Sequence, residues 1–205
     1  PEQPGEGGAP EPEQPTDPVD PVPPVEGGDD GAVTETTLAT FTFPTATNTS
    51  SWQDGSTLSS NTSFTADGYT LTFTGCTKVY QKGNDAAGRG FIKFGTSSAI
   101  GSLTFTVPND VTRVELQLAG YKNNTSKYSV NEQTGTLTTK GSQTAGTASP
   151  YDVVSVDTST QKTVTVATVS GGVRMVMFSV IFYGSSATGG DTACEHTNRN
   201  AAEHI

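Results

Sequence analysis

From Leu38 to Gly184 the chain alternates apolar and polar side chains with a period of two. Ala39, Phe41 and Phe43 alternate with Thr40 and Thr42, and Tyr69, Leu71 and Phe73 with Thr70, Thr72 and Thr74. Leu103, Phe105 and Val107 alternate with Ser102, Thr104 and Thr106, and Val114, Leu116 and Leu118 with Arg113, Glu115 and Gln117. Val164 and Val166 alternate with Thr163 and Thr165. One apolar and one Thr-rich or charged face per run marks half-buried antiparallel strands. Threonine suits the wet face of a pleat because its branched Cβ is stiff and its hydroxyl is solvated. No window has a helical period. The run VRMVMFSVIFY (173–183) is apolar on both faces: continuous alternation puts Val176, Phe178, Val180 and Phe182 on one and Met175, Met177, Ile181 and Tyr183 on the other. Aromatic and β-branched enrichment makes it a strand, and it needs cover on both sides, as a central strand has.

Further strands are expected at Phe91–Phe94, Lys127–Val130, Gly135–Thr139 and Tyr151–Val156, giving about nine or ten at sandwich-like spacing. Turn chemistry separates them at Asp67-Gly68, Gly83-Asn84-Asp85, Pro108-Asn109-Asp110, Asn123-Asn124 and Gly171-Gly172. The expected fold is all-β, a two-sheet antiparallel sandwich of jelly-roll type over residues 38–184, with a barrel as the alternative.

Composition changes the picture at the ends. Nine of the twelve prolines lie in residues 1–24, ten of the 21 acidic residues lie at or before Glu35, and no Lys or Arg precedes Lys78. The net charge of −10 therefore belongs to the N-terminal tail, since residues 38–205 carry eleven acids and eleven bases. Residues 1–37 lack the apolar side chains that offset the entropy of folding, so they are expected to be a disordered, extended linker or stalk. Residues 185–205 are expected to be a flexible tail that looks cut at Ile205. The body suffices for one domain of about 150 residues. No run of 18 apolar residues occurs, so no transmembrane segment is expected. Any export signal is expected to have been removed before Pro1. A nearly neutral body behind an acidic tail argues against nucleic-acid binding.

The candidate chemistry is sparse. No histidine lies between Leu38 and Gly184, which removes His-based nucleophilic, acid–base and zinc chemistry from the domain. Of the body carboxylates, Asp54, Asp67, Asp85 and Asp110 sit in turn sequences, and Glu115 shares a polar strand face with Arg113, where solvation is expected. No two are spaced as an acid/base pair for glycoside hydrolysis, so the domain is expected not to be an enzyme. The densest polar cluster is YQKGNDAAGRG (80–90). Tyr80 offers a stacking face, Lys82, Asn84, Asp85 and Arg89 offer forked polar groups to sugar hydroxyls, and the glycines let backbone approach a ligand. The other reading is a solvated turn. Trp52, the single tryptophan, lies in a polar stretch as a sugar-stacking aromatic does; its other reading is a plug at one end of the sandwich. Asn48, Asn61 and Asn124 open sequons expected by chance in so Ser/Thr-rich a chain. Cys76 is expected to be a small buried hydrophobe rather than a disulfide partner of Cys194. Cys194, His196 and His204 make half of a zinc site, completed only in a longer parent. No cofactor is expected, and no motif supports a loop calcium.

The stretches FIKFGTSSAIGSLTFTVP, VTRVELQLAGYKNN and YDVVSVDTSTQKTVTVATVSGGVRMVMFSVIFYG resemble a β-sandwich domain that recurs in large secreted or surface-anchored bacterial proteins. ACEHTNRNAAEHI looks like the start of the short Cys/His repeats of such proteins. The resemblance implies an extracellular or cell-surface setting, with a lipid anchor upstream of Pro1 and further domains in a longer parent. It carries no assigned site residues. The expected function is a non-catalytic accessory module that binds glycan or another surface polymer. The alternative is a structural spacer or adhesin domain without a small ligand, and either is compatible with an enzyme domain elsewhere in the parent.

Overall fold

A computed structural model of the chain describes residues 34–44, 52–82, 85, 87–122, 124–141 and 147–186. The chain divides into two units, Pro1–Ala32 and Val33–Ile205. The first lies outside the described residues, as do Cys194, His196 and His204.

Twelve strands and no helix are formed among the described residues: β1 (Thr34–Thr42), β2 (Ser63–Ala66), β3 (Tyr69–Thr77), β4 (Val79–Lys82), β5 (Phe91–Phe94), β6 (Ser102–Thr106), β7 (Val111–Gly120), β8 (Ser126–Val130), β9 (Gln133–Leu137), β10 (Asp152–Asp157), β11 (Thr163–Thr168) and β12 (Met175–Ser186). They pair antiparallel into two six-stranded sheets. The first has the order β10-β7-β12-β5-β4, with β1 also on β12; the second runs β2-β3-β6-β11-β8-β9. The all-β sandwich expected from alternation is the fold. Two strands escaped that pattern. β2 is a four-residue edge, and β4 overlaps the start of the segment read as a polar turn.

The N-terminal boundary needs correction. Thr34–Thr37, expected within the disordered linker, pair with Tyr183–Ser186 of β12, and Glu35 forms an ion pair with Arg113. The exposed side chains here carry no apolar signal, so only pairing with an already buried strand orders them. Likewise β12 runs two residues past the expected limit at Gly184.

β12 is central, between β7 on one side and β5 and β1 on the other. Its facing differs from simple alternation. Met177 pairs with Leu118 but Ser179 pairs with Gln117, so Phe178 is the extra residue of a β-bulge. An inserted residue reverses which side chains point inward beyond it. Met175 and Met177 therefore share the inter-sheet core with Val180 and Phe182, whereas Val176 and Phe178 face outward. Outside the sheet, Val176 and Phe178 form a second, smaller cluster with Phe91 and Ala119, flanked by Tyr121. The inter-sheet core contains Leu71, Phe73, Leu103, Phe105, Val164 and Val166 from the alternating runs.

Of the expected turns, Asp67-Gly68 joins β2 to β3 with φ of 51° and 82°, the left-handed pair a two-residue hairpin demands. Asn131-Glu132 does the same between β8 and β9 with φ of 47° and 69°, a turn hidden by its Glu. Gly83, Asn84 and Asn123 lie outside the described residues.

Candidate functional site

The two loops singled out in the sequence do meet. Gln81 of β4 exchanges backbone hydrogen bonds with Gly55 and Ser56, and Lys82 Nζ lies 2.8 Å from Asp54. Trp52, however, is not presented to solvent. It is 3% exposed, its ring stacks on Phe43 at 6.0 Å and meets Phe64 edge-on, and its Nε1 donates to the Lys82 carbonyl at 2.8 Å. The plug is the reading the structure adopts. Indole fills the end of the sandwich because its apolar body completes the Phe43–Phe64–Phe73 cluster and its polar tip finds a carbonyl.

Asp85 and Arg89 are committed to one another. The Asp85 side chain, 3% exposed, accepts hydrogen bonds from the backbone N–H of Ala87, Arg89 and Ser149 and from Arg89 Nε. Arg89 Nη2 in turn donates to the Ser149 carbonyl at 2.6 Å, and its guanidinium lies 4.3 Å from the centre of the Phe178 ring. This pair clips residues 87–90 and 147–151 together, and Arg89 and Tyr151 cover Phe178 on the outward face of β12, which is how that strand gets its second cover. The glycine next to it serves the same packing. A Cβ on Gly90 would sit 1.9 Å from the Pro44 carbonyl oxygen, so the close approach it permits is to the end of β1 rather than to a ligand. Asn84 lies outside the described residues.

Burial pushes the Asp85 carboxyl up, but the hydrogen bonds from Arg89, Ser149 and Ala87 outweigh it and hold it below the usual carboxylate range. A folded-state value below the unfolded one means the unfolded chain binds more protons in acid. The contribution is full above the unfolded carboxylate value and is lost as pH falls through the folded one. Asp85→Asn is expected to cost about 1–3 kcal/mol at pH 7, since it leaves Arg89 without its counter-charge. Urea midpoints measured from pH 7 to pH 2 check this. The wild type should lose stability below about pH 4 more steeply than the variant. Parallel curves would show that Asp85 is not the titrating anchor.

The chemistry left open to solvent lies one row along the same sheet. Register places Tyr80 of β4 opposite Lys93 of β5, Lys93 opposite Val176 of β12, and Val176 opposite Ala119 of β7. These four point outward, because their neighbours Val79, Phe94 and Met175 are buried in the inter-sheet core. Lys93 Nζ sits 4.4 Å from the centre of the Tyr80 ring and 5.5 Å from that of Tyr121, which follows β7. The Arg174 guanidinium and Lys122 Nζ approach the same Tyr121 ring at 5.3 and 5.6 Å. The Arg174 carbonyl is held by the Tyr121 N–H and the Ser126 hydroxyl. Two aromatic rings thus bracket one ammonium above an apolar floor of Val176 and Ala119, with two more cations at the rim.

Of the six expected site residues, Tyr80 and Lys82 border this face, Asp85 and Arg89 lie over the same outward side of the sheet at Phe178, Trp52 is in the inter-sheet core, and Asn84 is outside the described residues. Lys93, Tyr121, Lys122 and Arg174 were missed. The available signal was a lone Lys in the apolar strand FIKF and a lone Arg before the longest apolar run. Nothing local says that residues 80, 93, 121 and 174 converge.

Glu115 is also corrected. It is not simply solvated: it accepts from Arg113 Nη1 and, at 2.9 Å, from the Tyr183 hydroxyl, while Arg113 also pairs with Glu35. Cys76 is a half-buried free thiol whose pKa burial pushes up, as for a small hydrophobe. Elsewhere, a groove of about 370 Å³ lies between β10 and the β8–β9 hairpin, lined by Tyr128, Asn131, Gln133, Asp157 and Gln161 among others. Its polar groups are partly spent, since Asn131 bonds the backbone of Thr163 and Thr165 and Asp157 that of Ser159.

No family model matches the chain, and no curated protein matches it. Among solved structures it is similar to the crystal structure of the catalytic unit of a thermostable GH87 alpha-1,3-glucanase from Streptomyces thermodiastaticus strain HF3-3, at 18% identity and a TM-score of 0.33. The similarity covers 60% of this chain and 28% of the glucanase chain. The expectation that the domain is not an enzyme is withdrawn, this neighbour being a catalytic unit. At this TM-score the likeness assigns no activity to the chain.

Proposed function

We propose that the domain binds a glycan or another surface polymer, as one module of a larger extracellular or cell-surface protein, and that it does so on the outward face of β4, β5 and β12. The observation that carries this reading is the Tyr80–Lys93–Tyr121 arrangement, with Lys93 Nζ within 6 Å of both ring centres. A sugar ring offers an apolar face to an aromatic and hydroxyls to a cation or amide, and this half-buried face holds both kinds of group together. The multidomain setting rests on the sequence resemblance.

A polysaccharide panel, neutral and acidic, run against the full chain by affinity electrophoresis tests it. Tyr80→Ala is expected to weaken retardation by about tenfold or more while Tm stays within a few degrees, because one stacked ring contributes on the order of 1–2 kcal/mol. Absence of binding to every polymer would leave the domain as a spacer.

A further inference from the structure

Among the described residues, the face just described carries more positive charge than its ion pairs neutralise. Four ion pairs form among the described residues, Lys82–Asp54, Arg89–Asp85, Arg113–Glu35 and Arg113–Glu115, and none includes Lys93, Lys122 or Arg174. The undescribed stretches within the domain, 45–51, 83–84, 86, 123 and 142–146, contain no Asp or Glu, so none of them brings a carboxylate. The three cations are nonetheless gathered about a single ring, that of Tyr121.

Two observations show that packing alone does not explain the cluster. The Arg174 Nε is buried and has no hydrogen-bond partner among the described residues, although a guanidinium N–H is an obligatory donor. Lys93 is partly buried, and that burial, with the charges of Arg174 and Lys82, lowers the pKa of its ammonium. Like charges held together with no ion-pair partner among the described residues oppose folding, a cost tolerated at sites that meet their counter-charge in a ligand.

We propose that Lys93 and Arg174, with Lys122 at the rim, form an anion subsite, so that the polymer this domain recognises is an acidic polysaccharide bearing carboxylate or sulfate groups. The inference rests on the reading above and narrows it. A carboxylate or sulfate seated near the Arg174 guanidinium and the Lys93 ammonium accepts charge-assisted hydrogen bonds from both. The adjacent Tyr80 and Tyr121 rings then stack on the sugar that carries it. Neutral glycans would leave the cations uncompensated.

The test uses the full chain and measures affinity for polygalacturonate, its fully methyl-esterified form, a sulfated dextran, unmodified dextran and a single-stranded oligodeoxynucleotide. Binding to polygalacturonate or sulfated dextran is expected, falling steeply with salt, with at least tenfold weaker binding to the esterified and unmodified polymers. The carboxylated and sulfated arms distinguish which anion is read. Lys93→Gln with Arg174→Gln should weaken binding at least tenfold while Tm is retained or raised, because the substitution relieves repulsion. Lys127→Gln, which removes one positive charge from an exposed position of β8 in the other sheet, should leave affinity unchanged. Equal binding of neutral and acidic polymers would overturn the anion subsite and leave the glycan reading standing. No binding to any polysaccharide would overturn both. Loss of affinity in Lys127→Gln equal to that of the double variant, or binding confined to the oligonucleotide, would also overturn the proposal. A double variant that loses Tm along with affinity sends the test to Lys93→Arg, which keeps the charge and should restore binding; failure to do so would overturn it.

Discussion

Val180→Asp should leave the domain unfolded, while Ile181→Thr, one residue on, should cost no more than about 1.5 kcal/mol. Val180 is fully buried between the sheets, whereas Ile181 faces outward and is only half-buried. An aspartate at Val180 would be ionised in an apolar core with no described cation beside it, and several kcal/mol is a large part of the stability of a domain this size. The contrast depends on the bulge at Phe178. Urea unfolding of both variants, followed by circular dichroism, reads it directly. If Ile181→Thr proves as damaging as Val180→Asp, the facing of the second half of β12 is wrong.

Trp52→Ala should lower stability by about 3–5 kcal/mol, the range for deleting a large buried aromatic, and Tm by roughly 10 °C or more. The loss has two sources. Phe43 and Phe64 lose the ring they pack against, and the Lys82 carbonyl loses the donor at Nε1. Trp52→Phe separates them, since it keeps most of the packing and should cost nearer 1–2 kcal/mol. Differential scanning calorimetry of the two variants is the measurement. An alanine variant melting within 2 °C of the wild type would return Trp52 to the surface. It would then regain the ligand-stacking role that its polar neighbours suggest.

That suggestion failed for an instructive reason. Trp52 and the segment 80–90 look like surface in the sequence because polar residues flank them, but flanking composition reports the loop, not the direction of one side chain. Trp52 turns inward because the end of the sandwich between Phe43 and Phe64 is otherwise unfilled. Asp85 and Arg89 are similar: their spacing of four and intervening glycine read as a hydrated turn, yet they meet as a partly buried pair because Ser149, sixty residues after Arg89, supplies the remaining partners.

What the sequence determined by itself is the all-β class with ten of the twelve strands, the core-facing set of the alternating runs, the Asp67-Gly68 turn and the central place of β12. Each is local, since a period of two needs only neighbouring residues to declare which face is apolar. Phe41, Phe73, Leu103, Val114 and Val164 were assigned inward on that basis, and all are buried. Only the tertiary structure decided the reversal of facing at Phe178, the ordering of Thr34–Thr37 and the convergence of Tyr80, Lys93, Tyr121 and Arg174. The bulge depends on how β12 meets β7, and the first residues of β1 are ordered only by the strand they join. The candidate site arises from four strands whose registers place residues 80, 93, 119 and 176 in one row. Register is a property of pairs of strands far apart in the chain, so it leaves no mark in any local window.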